Sequence, residues 1–160
     1  MSQRVIRRYS KIQVPIHFTW TTFERRPLIT PEVERIVHRS IYANAARLDC
    51  TALAVNGMPD HIHLAVLFSP NVTIARFVGE IKSLVTHRVR EVYGEDRFFI
   101  WESGYAAHAF PYSQRDRVIA YIRGQKEHHA NNTIYALWEE TEVWQDGVLM
   151  RAGDVEDGRC

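Results

Sequence analysis

The chain has 160 residues, 46% hydrophobic and 24% charged, which suits one domain with a sizeable core and excludes a disordered, collagen-like or coiled-coil chain. A formal net charge of +1 gives no overall electrostatic reason to expect a nucleic-acid partner. Cys50 and Cys160 lie far apart without metal-ligand spacing, and there is no secretory signal or long apolar run, so a disulfide framework and a membrane chain are excluded and a cytoplasmic protein is the simplest expectation.

In chain order, residues 1–11 form a basic arm with Arg4, Arg7, Arg8 and Lys11 and no acid. From Lys11 to Thr22, Val14, Ile16, Phe18 and Trp20 recur at a spacing of two, which predicts a strand with one strongly apolar face. Thr30-Pro31 opens a helix with a capping threonine and proline at the first helical position, and Val33, Ile36, Val37, Ser40, Ile41 and Ala45 give it a buried stripe. Thr51 to Asn56 predicts a second strand, Gly57-Met58-Pro59-Asp60 a turn, and His61 to Phe68 a third strand, so the pair is a hairpin. Thr73 to Tyr93 predicts a second helix with Ile74, Phe77, Val78, Ile81, Val85 and Val89 inward. Phe98 to Phe110 predicts a fourth strand and Ser113 to Ala130 a third helix. The order β-α-β-β-α-β plus a helix is the ferredoxin-like (RRM-like) α+β arrangement, an antiparallel sheet with helices on one face and a C-terminal helix that carries Tyr121. Residues 1–131 are expected to form the domain. Residues 132–160 are read as an acidic, partly disordered extension, whose last twenty-five positions hold seven acids (Glu139, Glu140, Glu142, Asp146, Asp154, Glu156, Asp157) against Arg151 and Arg159.

Two clusters carry chemistry. Side chains alternate across a strand, so His61 and His63 point the same way, with Cα atoms roughly 6.5–7 Å apart, and can share one metal ion while Ile62 enters the core. On the last helix, Tyr121 and Gln125 lie one turn apart on one face. Each cluster alone is more simply read as packing or surface. Together they make a coherent set, because a tyrosine attacking a phosphodiester needs a Lewis acid on the non-bridging oxygens. Two imidazoles and the Gln125 amide oxygen would hold that metal on three sides and leave open positions for phosphate and water.

The residues Val14-Pro15-Ile16-His17-Phe18-Thr19-Trp20, Met58-Pro59-Asp60-His61-Ile62-His63-Leu64, Trp101 with Gly104-Tyr105, and Tyr121-Ile122-Arg123-Gly124-Gln125-Lys126-Glu127-His128-His129 resemble the HUH single-strand DNA transposases with one catalytic tyrosine, especially the REP-associated tyrosine transposases. The resemblance runs from about residue 11 to 131. It implies that Tyr121 is the nucleophile and becomes linked to a 5′-phosphate, that His61, His63 and Gln125 bind Mg²⁺ or Mn²⁺, and that the partner is single-stranded DNA with hairpin or palindromic repeats. Imidazole ligands alone favour zinc or nickel, whereas the amide, phosphate and water oxygens favour Mg²⁺ or Mn²⁺. Relatives include both monomers and dimers, so a homodimer stays open.

For DNA contacts the sequence offers Arg7, Arg8 and Lys11 beside the first strand, Lys82 and Arg88 on the second helix, and Trp101, Tyr105, Phe110 and Tyr112 for base stacking. His128 and His129 are candidates for the base that takes the tyrosine proton. The rival readings are a metal-dependent phosphodiester hydrolase that does not use Tyr121, and a non-catalytic nucleic-acid-binding module such as a domesticated relative.

Overall fold

A computed structural model describes residues 10–139, 141, 143–145 and 148–150. Arg7 and Arg8, and with them most of the basic arm, lie outside the described residues, as does much of the 132–160 extension.

Four strands, β1 (Pro15–Thr21), β2 (Thr51–Met58), β3 (His61–Leu67) and β4 (Ala106–Ala109), form one sheet in the order β2-β3-β1-β4. Every neighbouring pair is antiparallel. Helices α1 (Pro31–Arg47) and α2 (Ile74–Tyr93) pack on one face. This is the ferredoxin-like α+β fold expected from the element order. Alternation along the central strands sends Ile16, Phe18, Trp20, Ile62, Leu64 and Val66 into a core shared with Val33, Val37 and Ile41 of α1 and Phe77, Ile81, Val85 and Val89 of α2. Burying each large side chain there contributes about 1.5–3 kcal/mol.

The opposite sheet face carries a second, smaller cluster of Ala54, Ala65, Val118, Tyr121 and Ile122. It is covered by α3 (Arg115–Arg123), α4 (Gln125–Ala130) and the short α5 (Ala136–Glu139). Residues after α5 include two short paired strands, β5 (Val143–Gln145) and β6 (Val148–Met150).

Several boundaries differ from the sequence reading for definable reasons. β1 begins at Pro15, and Val14 is exposed outside it. Ile74 is exposed because it begins α2, where Thr73 caps Arg76 N–H. β2 runs on through Gly57 and Met58. A Cβ at Gly57 would stand 2.1 Å from the His61 carbonyl oxygen, so only glycine lets the hairpin close this tightly. The fourth strand shrinks to Ala106–Ala109, with an isolated bridge between Thr22 and Trp101 upstream of it. In between, the carbonyls of Glu102 and Gly104 turn inward to accept from Lys82 Nζ at 2.7 and 2.8 Å. The third helix is two helices, broken at Gly124, where a Cβ would meet the His128 ring and the Ala120 carbonyl oxygen at 3.2 and 3.3 Å.

Candidate active site

The site is built on the sheet face turned away from α1 and α2. The pairing register sets Thr19 opposite His63 and Thr21 opposite His61, with His17 across from His108 on β4. The same alternation that buries Ile62 therefore raises His61 and His63 side by side, 4% and 0% exposed, with ring centroids 5.2 Å apart.

Each imidazole is fixed through its Nδ1. His61 Nδ1 lies 2.7 Å from Asp60 Oδ1, and His63 Nδ1 lies 2.9 Å from His17 Nε2 and 3.3 Å from Thr19 Oγ1. In the tautomer that carries the proton on Nδ1, both Nε2 lone pairs face the same point, which is how metal-ligating histidines are usually oriented by outer partners. Burial lowers the His63 pKa despite the carboxylate beside it. For His61 burial also acts downward, but hydrogen bonds and charge from Asp60 and Glu139 outweigh it and raise the group. Burial, reinforced by His63 and His108, pushes His17 down to about 3, so His17 stays neutral and can accept from His63.

α3 brings Tyr121 over this pair, 3% exposed, with its ring centroid 6.1 Å from that of His63. His128 stacks on the Tyr121 ring at 4.8 Å, so it supports the ring. His129 faces the histidine pair, its ring 5.0 Å from that of His61. Gln125, one turn beyond Tyr121, is completely buried, and its amide makes no well-aligned hydrogen bond, lying only close enough to the Tyr121 hydroxyl to act weakly on its proton. A buried amide left in that state costs a few kcal/mol unless something absent from the protein chain engages it.

The residue that sequence reading missed is Glu139. Its Oε1 accepts from the Tyr121 hydroxyl at 2.5 Å, and its Oε2 lies 3.2 Å from His63 Nε2, 3.4 Å from His61 Nε2 and 3.5 Å from His129 Nε2. Burial alone would raise this carboxyl, but His61, His63 and Tyr121 outweigh it and hold Glu139 far below the ordinary carboxylate range. Burial first and Glu139 second push the Tyr121 hydroxyl up to about 12, against small opposing effects from the Tyr135 N–H and Gln125. Glu139 sat in a stretch read as a solvated acidic tail, and no local pattern marks it. The nearest clue is the aromatic pair around it, since Tyr135 and Trp138 pack their rings 5.0 and 4.8 Å from that of Tyr121.

Beside His61, His129 and Glu139 opens a cavity of about 450 Å³, bordered also by Arg25 and Asp60. Arg25 and the preceding Glu24 both adopt left-handed backbone, φ 53° and 51°, which is strained for non-glycine residues and clusters at functional sites. That turn sets the Arg25 guanidinium 3.5 Å from Asp60 at the mouth of the cavity. Among the described residues, the basic side chains singled out from sequence, Lys11, Lys82 and Arg88, do not border this cavity. Lys82 donates to backbone carbonyls, and burial pulls it down to about 8; Arg88 pairs with Glu91; Lys11 is exposed at the chain start. Trp101 packs against Trp20 and Phe99 in the core. Tyr105 and Phe110 are partly buried against the two clusters, and Tyr112 stacks with the Arg115 guanidinium at 4.4 Å.

The sequence matches the family described as "Transposase IS200 like" over residues 10–125, which spans His61, His63, Tyr121 and Gln125. The chain belongs to this transposase family. Among solved structures it is similar to a protein described as a transposase from Deinococcus radiodurans R1, at 21% identity and a TM-score of 0.57, covering 78% of this chain and 98% of that one. It is also similar to a REP-associated tyrosine transposase bound to a REP hairpin, at 20% identity and a TM-score of 0.54, covering 84% of this chain and 76% of that one. No curated protein matches the sequence. Among the described residues of this transposase, no helix is long and apolar enough to cross a membrane. Glu139 lies beyond the matched span.

Proposed function

We propose that this transposase cuts and rejoins single-stranded DNA at hairpin or palindromic repeats, with Tyr121 as nucleophile and a divalent ion, Mg²⁺ or Mn²⁺, at His61, His63 and Gln125. One observation carries the reading: the Tyr121 hydroxyl and the Nε2 atoms of His61 and His63 converge on the two oxygens of a single carboxylate. A nucleophile and a candidate metal pair so placed can act on one phosphorus. The residues fit a metal, since both imidazoles are locked through Nδ1 and the buried Gln125 amide makes no well-aligned hydrogen bond.

The bound ion would supply Lewis-acid stabilisation of the charge that grows on the non-bridging phosphate oxygens. The rest falls to the chain. The Tyr121 oxygen bonds to phosphorus, the bond from phosphorus to the 3′ oxygen breaks, and the proton lost from the phenol is balanced by one gained on the free 3′-hydroxyl. The resulting 5′-phosphotyrosine stores the bond, so a second 3′-hydroxyl can reverse the step on another strand without ATP. α3 aims the phenol, and α1 and α2 hold the sheet rigid beneath the histidines. Arg25, at the cavity mouth, is placed to meet a phosphate.

The test incubates the purified chain with labelled hairpin DNA from its own genomic flanks and Mn²⁺ or Mg²⁺, resolved on a denaturing gel. Wild type is expected to give a metal-dependent covalent protein–DNA band that Tyr121→Phe abolishes. Binding with no covalent band would favour the binding-module reading, and cleavage that survives in Tyr121→Phe would favour the hydrolase.

A further inference from the structure

We propose that Glu139 is a direct ligand of the metal held by His61 and His63, and that its second oxygen ties Tyr121 to that centre. The inference rests on the metal-dependent reading above and adds a carboxylate to its donor set. Neighbouring ligand atoms at about 2.0–2.2 Å from one ion lie roughly 2.9–3.6 Å from each other. Glu139 Oε2 stands 3.2 Å from His63 Nε2 and 3.4 Å from His61 Nε2, both within that range. His61 Nε2 is buried, and it meets Glu139 only in this poorly aligned contact.

Charge points the same way. The Glu139 side chain is only 14% exposed, and among the described residues its ion-pair partners are imidazoles, with no lysine or arginine. A carboxylate drawn this far from water needs positive charge beside it. Among the described residues of the metal-free chain only a protonated imidazole can offer that charge, and a divalent ion shared with the imidazoles supplies it more fully. Two neutral imidazoles and an amide leave the charge of a divalent ion uncompensated. A carboxylate oxygen supplies that charge and moves the donor set toward the oxygen-preferring Mg²⁺ and Mn²⁺.

The carboxylate is also held in place. Thr19 Oγ1 donates to the Trp138 carbonyl at 3.2 Å, and the Tyr135 N–H donates to the Tyr121 oxygen at 3.1 Å. α5 is thereby pinned both to the sheet that carries the histidines and to the helix that carries the nucleophile. With Oε2 on the ion and Oε1 on the phenol, Glu139 sets the distance between nucleophile and metal.

The experiment titrates Mn²⁺ into the full chain without DNA, by calorimetry, for wild type, Glu139→Gln, Glu139→Asp and Tyr121→Phe, and records the Mn²⁺-induced rise in Tm for each. Glu139→Gln is expected to weaken Mn²⁺ binding at least about tenfold and to lose most of the Tm rise. Glu139→Asp should fall between Gln and wild type, and Tyr121→Phe, which removes the hydroxyl that holds Oε1 but leaves the carboxylate, should weaken binding less than Glu139→Gln. Equal or tighter binding by Glu139→Gln would overturn the proposal, because the carboxylate would then compete for the ion's place. So would a wild type that binds no Mn²⁺. A chain that binds Mn²⁺ through Glu139 yet forms no covalent DNA adduct would leave this inference standing and remove the strand-transfer reading.

Discussion

The two faces of the sheet are made by the same strands and differ in almost everything else. Under α1 and α2, every second residue is a large apolar side chain with one task, exclusion of water. Under α3 to α5, the intervening residues include His17, Thr19, His61 and His63, buried nearly as deeply but polar, beside the small Ala54 and Ala65. Their burial is supported by a ladder of contacts that begins at His17, passes through His63 and ends at Glu139 and Tyr121. A strand pair can thus carry a stabilising face and a chemical face at one-residue spacing, with the first making the second rigid.

Neighbouring substitutions break this comparison most sharply. Leu64→Ala, on the apolar face, is expected to cost about 2–5 kcal/mol in stability and to leave Mn²⁺ affinity of the folded fraction unchanged. His63→Ala, one residue away on the other face, should cost less stability but weaken Mn²⁺ binding more than about hundredfold. Denaturant titration paired with calorimetry checks both. Similar effects of the two on metal binding would show that the faces are not separable.

His17 tests whether the polar face carries its own pH dependence. Folded His17 stays neutral down to about 3, whereas the unfolded chain takes up a proton near the usual 6.5. Between those values the unfolded state binds more protons, so stability rises with pH across the window and is lost as pH falls below about 6.5. In metal-free protein, His17→Gln should flatten that slope by on the order of a few kcal/mol between pH 6.5 and 3. Parallel stability–pH curves for wild type and variant would contradict it.

The smallest effect is expected at the break between α3 and α4. Gly124→Ala should press on the His128 ring, which stacks on Tyr121, and cost less than about 1.5 kcal/mol. Its signature is a slower covalent-adduct rate with the melting temperature nearly unchanged.

How much of this was legible in the sequence follows the same division. Period-two and helical spacing placed Ile16, Phe18, Trp20, Phe77 and Val85 correctly, because burial of apolar residues is a local pattern read one element at a time. His61, His63 and Tyr121 belong to two local motifs legible in the sequence, and the fold sets these three around Glu139, with Gln125 buried one turn beyond Tyr121. Glu139 was not legible, since its place depends on α5 folding back onto the sheet through Thr19 and Tyr121, contacts that leave no spacing rule behind. The shortened β4 has a similar cause: Lys82, far away on α2, captures the carbonyls of Glu102 and Gly104. Arg25 owes its position to two strained residues that no propensity would choose.

The most direct test of the central claim is to trap the covalent complex with hairpin DNA and Mn²⁺, digest both components, and locate the modified residue by mass spectrometry. The account expects a 5′-linked nucleotide on the Tyr121 side chain. DNA cut without any protein-bound nucleotide, or a nucleotide on another residue, would contradict it.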